Sequence, residues 1–281
     1  MANDQRTWLI TGCSTGLGRG LVEAVLLTGD RVVATARNTD SLKALAASHT
    51  NLQVMKLDVT LPDDCREVVE TIDREFGGVD VLVNNAGYGY IAAVEEADES
   101  EYRRLFETNF FGLVDLTRRV LPGMRERKRG HILNVSSTGG MVGNPGSGFY
   151  AGTKFAVVGF SEALSKEVAA LSIRVTVVAP GPFRTDWSGR SLQTTVGKIS
   201  DYDDVVHRRI ESMSRQSGTQ AGDPRRAGDA ILEAVNSDTP PLHLVLGASG
   251  LTKVRENLAS LSAEFDKWDA VSKSADFPAD D

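Results

Sequence analysis

The chain has 281 residues, 41% hydrophobic and 25% charged, with a formal net charge of −7 at pH 7. That composition suits a soluble globular protein with one large core, and the acidic balance leaves no electrostatic footprint for nucleic acid. No stretch approaches the roughly eighteen uninterrupted apolar residues of a membrane span. The start, Met-Ala-Asn-Asp-Gln-Arg-Thr, lacks an apolar signal core, so the expected setting is the cytoplasm.

The apolar run 7–10 leads into Thr11-Gly12-Cys13-Ser14-Thr15-Gly16-Leu17-Gly18, after which Leu21 and Val25 read as a helix. Strand, glycine turn and helix is the order a phosphate site needs. Glycines let the backbone approach a pyrophosphate, whose charge is stabilised at the helix N-terminus. The spacing Gly-x-x-x-Gly-x-Gly differs from the Gly-x-Gly-x-x-Gly dinucleotide fingerprint. The same stretch also matches the Gly-x-Ser-x-Gly nucleophile elbow of α/β-hydrolases, with Ser14 as nucleophile. That elbow requires an oxyanion donor from an earlier strand–helix loop, and only one strand precedes Ser14.

Residues 31–36 form a second strand ending in Thr35-Ala36-Arg37-Asn38, about where a dinucleotide fold reads the adenosine ribose. A helix over 41–48, a strand over 52–57 followed by Asp58-Val59, a helix over 63–76 and a strand over 80–83 come next. Asn84-Asn85-Ala86-Gly87 closes this part. Residues 100–128 read as one long helical stretch containing Asn109, which Pro122 should kink or end near Leu121. A strand over 131–135 carries Ser136 and Ser137 at its end, and a glycine-rich loop reaches Tyr150, whose helix runs to about 171. A strand over 173–178 stops at Pro180-Gly181-Pro182.

Residues 183–222 are irregular and read as a substrate lid with a helix over 203–212. Asp223-Pro224 is an N-cap followed by proline at the first helical position, predicting a helix to about 236, and 242–246 is a last strand. Leu251, Val254, Leu258, Leu261, Phe265 and Trp268 recur at spacings of three and four, an amphipathic helix over about 249–270 that should pack on its own domain or a second subunit. Residues 274–281 are expected to be a disordered tail. Cys13 and Cys65, with no Cys-x-x-Cys, read as free thiols. His49, His131, His207 and His243 show no ligand spacing, so no metal is expected.

Strands alternating with helices predict an α/β fold, a single domain with a doubly wound parallel sheet. Ligands sit beyond the carboxyl ends of such strands, where the glycine turn, Arg37, Asp58, Asn84 to Gly87, Ser137 and Pro180-Gly181 all fall. Tyr150 and Lys154 lie four apart on one helix face, which sets an ammonium beside a phenol. Bringing a tyrosine from about 10 to about 7 takes roughly 4 kcal/mol, which a lysine and a cationic cofactor ring can jointly supply, giving a general acid or base at neutral pH.

The combination of Thr-Gly-x-x-x-Gly-x-Gly at 11–18, Asp58-Val59, Asn-Asn-Ala-Gly at 84–87, Asn109, Ser137, Tyr150, Lys154, Pro180-Gly181 and Thr185 closely resembles the short-chain dehydrogenase/reductase family, over residues 6 to about 250. The resemblance implies a Rossmann-like domain in which Tyr150 exchanges a proton with the substrate oxygen during hydride transfer. Lys154 would lower the Tyr150 pKa and hold the nicotinamide ribose, Ser137 would hydrogen-bond the substrate oxygen, and Asn109 would position a water linked to Lys154.

By the same resemblance the cofactor contacts are Gly12, Ser14, Gly16, Leu17, Gly18, Arg37, Asp58, Val59, Asn85, Ala86, Gly87, Tyr150, Lys154, Pro180, Gly181, Phe183 and Thr185. The family's carboxylate position is Ala36, which has no charge to repel a 2′-phosphate, and Arg37 follows it, so the expected cofactor is NADP(H). Tyr88, Tyr90, Met141, Val142, Phe149, Phe183 and Trp187 would line an apolar pocket for a hydrophobic small-molecule carbonyl or secondary alcohol. A homodimer is implied by pairing of the helices over 100–121 and 150–171, with the C-terminal helix blocking a tetramer. Two further readings stay open: a non-catalytic NADP(H)-sensing module and the Ser14 hydrolase.

Overall fold

Short runs rich in valine and isoleucine alternate along the chain with amphipathic helices, and in the computed structural model they form a parallel sheet covered by helices on both faces. The structure describes residues 5–277 except Asp186, 188–190, Val196 and Gln216. The strands are β1 (Thr7–Ile10), β2 (Arg31–Ala36), β3 (Leu52–Lys56), β4 (Val81–Asn84), β6 (Gly130–Val135), β7 (Ile173–Pro180) and β9 (His243–Leu246). Their order is β3-β2-β1-β4-β6-β7-β9, every pairing parallel. Trp8 is in register with Val32 on one side and Val81 on the other, so the order reverses at β1. A crevice at the carboxyl ends follows from that reversal.

The period-two alternation of β1 feeds two cores. Trp8 and Ile10 pack with Leu21 and Val25 of α1 (Gly16–Leu26) and Ile231 and Val235 of α8 (Pro224–Asn236). Leu9 faces the other side, with Val68 and Ile72 of α3 (Pro62–Phe76), Leu116 and Val120 of α5 (Gly112–Arg127) and Leu164 of α6 (Gly148–Val168). The remaining early helix is α2 (Lys43–Ser48), after a 3-10 turn at Asp40–Leu42.

The long helical stretch departs from expectation in where it breaks. α4 (Glu99–Phe106) passes into α5 through a π turn at Glu107–Phe111 that contains Asn109, while Pro122 lies inside α5 without ending it. Pro122 and Arg118 both lie on the exposed side of α5, where a carbonyl left without an amide partner can be hydrated. Val120 and Met124 keep the helix anchored in the core. The helix ends instead at Lys128, in the left-handed region with φ 51°. α6 starts at Gly148, ahead of Tyr150, and β7 runs two residues beyond the expected Val178.

The described residues of the expected lid carry more regular structure than its composition suggests. Residues of β8 (Leu192–Thr194) pair in parallel with β5 (Gly89–Ile91), forming a second, two-stranded sheet. The expected helix over 203–212 is a 3-10 turn at Ser200–Tyr202, a π turn at Asp203–His207 and then α7 (Arg208–Arg215).

The C-terminal helix α9 (Ala248–Lys273) forms as its spacing predicts, but it buries only Gly250 and Val254. Leu258, Phe265 and Trp268 are 59%, 69% and 52% exposed, which overturns packing of the whole apolar face on this domain. Residues 274–276 continue as turn and bend, and the rest of the expected tail, 278–281, lies outside the described residues. No described helix is long and apolar enough to cross a membrane.

Candidate active site

The turn after β1 is held from behind. Thr11 Oγ1 accepts the amides of Asn85 (3.0 Å) and Ala86 (2.9 Å), and Asn85 Nδ2 donates to the carbonyls of Thr11 (2.7 Å) and Gly12 (3.1 Å). Gly12 has φ +70°, and a Cβ there would come within 2.9 Å of Ala86 Cα. A Cβ at Gly18 would lie 2.5 Å from Asn85 Nδ2 and 2.7 Å from the Gly12 carbonyl. Asn85 is thus the peg on which the glycine turn closes. Gly16 and Leu17 open α1, whose first turn holds no acidic residue to compete with an anion.

A cleft of about 1420 Å³ runs along the carboxyl ends of the strands. It gathers Gly12, Ser14, Gly16, Leu17, Arg37, Asp58, Val59, Asn85, Ala86, Gly87, Ser137, Tyr150, Lys154, Pro180, Gly181, Phe183 and Thr185. Of the expected site residues only Gly18 and Asn109 stand behind its lining. The root of the lid closes over the turn, a Cβ at Gly16 being 3.5 Å from Thr185 Cβ. The glycine cradle, the helix N-terminus and the length of the cleft fit a dinucleotide.

At the β2 end of the cleft Ala36 is buried and Arg37 exposed, with no ion pair to Arg37 among the described residues. Arg19 is committed elsewhere, to Glu23 at 2.7 Å and the Ser41 carbonyl at 3.0 Å. Asp58 Oδ1 accepts from the Thr60 amide and hydroxyl, at 3.0 and 2.8 Å.

At the other end Tyr150, Lys154 and Ser137 converge. The two serines differ in what they do: Ser136 Oγ donates to the Lys154 carbonyl at 2.9 Å, whereas Ser137 Oγ accepts the Gly139 amide at 3.0 Å and lines the cleft with Tyr150, both side chains lying against Gly139. Burial pushes the Tyr150 phenol up to about 12, with the Ser137 hydroxyl acting the other way. Burial also pulls Lys154 down to about 8. The expected depression of Tyr150 toward neutrality is therefore absent in the protein alone. Lys154 Nζ lies 5.9 Å from the ring centre and donates to the Val135 carbonyl at 2.8 Å, so it does not offset the loss of water around the phenol.

Asn109 is fully buried, and its amide is engaged by Tyr88 and Thr153. Oδ1 accepts the Tyr88 amide at 3.0 Å, and Nδ2 donates to the Tyr88 carbonyl at 2.9 Å and Thr153 Oγ1 at 3.3 Å. The π turn is what aims it there, a common use of such turns. A second buried chain, Asn84 to Asn134 (2.9 Å) to Ser161 (2.9 Å), braces β4, β6 and α6 beneath the site. Nothing in the sequence singles out Asn134 or Ser161: the first is a lone polar residue in an apolar strand, the second one of several polar residues along a helix.

Of the seven residues expected to form an apolar lining, three do so. Tyr88, Phe183 and Trp187 line the cleft, with the Trp187 ring 5.5 Å from that of Tyr150. Tyr90 does not, because its hydroxyl is buried against Thr195 (2.6 Å) and the Asp98 amide (2.8 Å). Phe149 stacks on Tyr102 at 4.3 Å, Val142 is buried, and Met141 lies outside the lining with its carbonyl bonded to Asn257. Sequence reasoning missed Arg209, which lines the same end from α7. The hydrolase reading finds no support: none of the four histidines lines the cleft beside Ser14. Cys13 and Cys65 are free, buried on opposite faces of the sheet.

A doubly wound parallel sheet, a glycine cradle at its switch point and a phenol, a hydroxyl and an ammonium at the far end of one cleft define a dinucleotide-binding oxidoreductase. The sequence profile described as short chain dehydrogenase matches residues 6–195. Oxidoreductase BOA17 of Botryotinia fuckeliana is 38% identical over 95% of this chain and 98% of its own. A 3-ketodihydrosphingosine reductase of Bacteroides thetaiotaomicron is 38% identical over 85% and 87%. The crystal structure of a short-chain dehydrogenase from Streptomyces avermitilis superposes with a TM-score of 0.92 at 37% identity, covering 98% of this chain and all of that one. The chain belongs to the short-chain dehydrogenase/reductase family. Solved structures like it carry either dinucleotide: a serine dehydrogenase is complexed with NADP+ (29% identity, TM-score 0.74) and a Burkholderia phymatum protein with NAD (20%, 0.82).

Proposed function

We propose that the protein exchanges a hydride between NADP(H) and a small-molecule carbonyl or secondary alcohol, with Tyr150 as the general acid/base. The observation that carries this reading is the buried Tyr150 side chain lining the cleft together with Ser137, one helical turn from Lys154. Gly12, Ser14, Gly16 and Leu17 would hold the pyrophosphate on a turn shaped by Gly18. Arg37 would take the 2′-phosphate, Asp58, Val59, Asn85, Ala86 and Gly87 the adenosine and the bridge, and Pro180, Gly181, Phe183 and Thr185 the nicotinamide end. When bound, the dinucleotide supplies or accepts the hydride.

The remaining steps fall to this chain's side chains. With its phenol pushed up to about 12, Tyr150 carries its proton at neutral pH, the form in which it would act as the acid of a carbonyl reduction. Ser137 orients that oxygen by hydrogen bonding. Lys154, drawn to about 8, would return a proton toward Tyr150, and Asn109 fixes the Tyr88 segment beside it. Tyr88, Ile91, Trp187 and Met213 give the substrate end an apolar wall for a hydrophobic body. We read the chain as one cytoplasmic domain acting as a homodimer. The exposed rings of Phe111, in the π turn before α5, and Phe155, on α6, support that assembly, since both lie on or beside the helices expected to pair. A panel of aliphatic and aryl ketones and aldehydes followed by NADPH absorbance tests the reading: turnover of apolar carbonyls is expected, and saturable cofactor binding with no turnover would reject it.

A further inference from the structure

Charged side chains along the lid helix pair with one another, with one exception. His207 lies between Glu96 (2.8 Å) and Asp203 (2.7 Å), Arg208 pairs with Asp204 at 2.5 Å, and Arg215 with Glu211 at 3.1 Å. Arg209 meets no carboxylate among the described residues, although it is half-buried and lines the cleft. Its Nη1 donates to the Pro145 carbonyl (2.6 Å) and to Ser147 Oγ (2.9 Å). Ser147 immediately precedes α6 and stands three residues before Tyr150, so this cation is tethered one turn from the reacting phenol.

The Nη1 bonds leave the opposite edge of the guanidinium, Nε with Nη2, without a described partner. That edge is the one that matches a carboxylate bidentately. Burial lowers the Arg209 pKa with no counter-charge acting against it. A second cation, Lys253 at the start of α9, lies at the rim and is bonded to Asn144, a neutral amide. The described carboxylates lining the cleft, Asp40, Asp58 and Glu107, come from the ends of β2 and β3 and from the π turn. A guanidinium partly removed from water with only neutral acceptors is destabilising unless an anion joins it.

We propose that Arg209, with Lys253 at the rim, forms a subsite for an anionic group on the substrate, so that the preferred carbonyl compounds are oxo acids with an apolar body. The carboxylate pairs with the Nε and Nη2 edge while the carbonyl oxygen lies against Tyr150 and Ser137. This rests on the reading of the site given above and names the substrate class within it.

The test compares oxo acids of increasing length, from 4-oxopentanoate upward, with their neutral methyl esters in NADPH-dependent reduction. A charge-assisted pair corresponds to about ten- to a hundredfold preference in kcat/KM for acid over ester. The preference should reside mainly in KM, because the carboxylate contact is the same before and during reaction. It should fall to near unity in Arg209→Gln and be partly retained in Arg209→Lys, which keeps the charge and the fold but loses the fork. The acid-to-ester ratio is the readout, since an arginine that merely ties the lid to the loop before α6 would alter both substrates alike. Equal use of acids and esters by the unaltered protein, or a ratio unchanged in Arg209→Gln, would overturn the subsite while leaving carbonyl reduction standing. If neither acid nor ester turns over, reduction fails instead. Calorimetric titration of the same acids into the NADPH complex then decides the subsite: binding lost in Arg209→Gln supports it, and no binding of acids overturns it.

Discussion

The Lys154 ammonium donates a 2.8 Å hydrogen bond to the Val135 carbonyl while standing 5.9 Å from the centre of the Tyr150 ring. A cation buried with one carbonyl and no carboxylate is retained at a cost to the fold. Its pKa is lowered to about 8, so the unfolded chain binds the proton more tightly. The cost is fully present below pH 8 and is relieved as pH rises through the ordinary lysine value of about 10.4.

Lys154→Met should therefore stabilise the protein at pH 7, by about 1–2 kcal/mol once the unpaired Val135 carbonyl is counted, while abolishing turnover and weakening dinucleotide binding. Urea unfolding with parallel cofactor titration checks both parts. A variant less stable than the parent would show that the ammonium's bond to Val135 and its packing outweigh the cost of burying its charge.

His207 predicts a pH-dependent lid. Its pKa is raised by Glu96 and then Asp203, and Glu96 is lowered by the Ile199 amide and then the His207 ring. A raised histidine contributes fully below its ordinary value of about 6.5 and is lost as pH rises through the folded value. The lower limit is set by the depressed Glu96. Proteolytic cleavage within 183–222, normalised to an unstructured peptide, should increase on going from pH 6 to 9, and His207→Gln should be cleaved readily throughout. A flat profile in the unaltered protein would remove the latch.

Ala36 and Arg37 are predicted to decide the cofactor. Because β2 ends without a carboxylate and Arg37 is free to bind phosphate, NADP(H) should be preferred by roughly ten- to a hundredfold. Ala36→Asp with Arg37→Ala should reverse that order by adding repulsion and removing attraction. Equal affinities for NADH and NADPH at moderate salt would contradict it.

Phe111 and Phe155 are 50% and 47% exposed at the outer surface of the π turn and α6. Light scattering at micromolar concentration should give a dimer, which Phe155→Arg should weaken through a charge in an apolar contact. A monomer in the unaltered protein would rule the pairing out.

Much of the fold was legible because its signals are local. The run before Gly12, the double glycine at 77–78 and Asp223-Pro224 each mark an element end by backbone chemistry, and all three ends fall where expected. The π turn at Asn109 was not, because it reflects how Asn109 reaches Tyr88 across the fold. Strands of three residues such as β5 and β8 carry no alternation to read. The apolar spacing of α9 specified a helix but not what covers it. Arg209 sits among Asp203, Asp204, His207 and Arg208 and reads in sequence as part of a solvated face; only the tertiary structure turns it into the cleft. The Tyr150–Lys154 spacing was evident, whereas the upward shift of Tyr150 depends on burial that spacing does not encode.

Replacement of Tyr150 by phenylalanine tests the central claim most directly, because it removes the transferable proton and little else. NADPH reduction of the best carbonyl found in the panel should fall at least a hundredfold in kcat, with dinucleotide affinity within about threefold of the parent. A Tyr150→Phe protein that keeps a substantial fraction of the parent rate would contradict the assignment of the proton to this phenol.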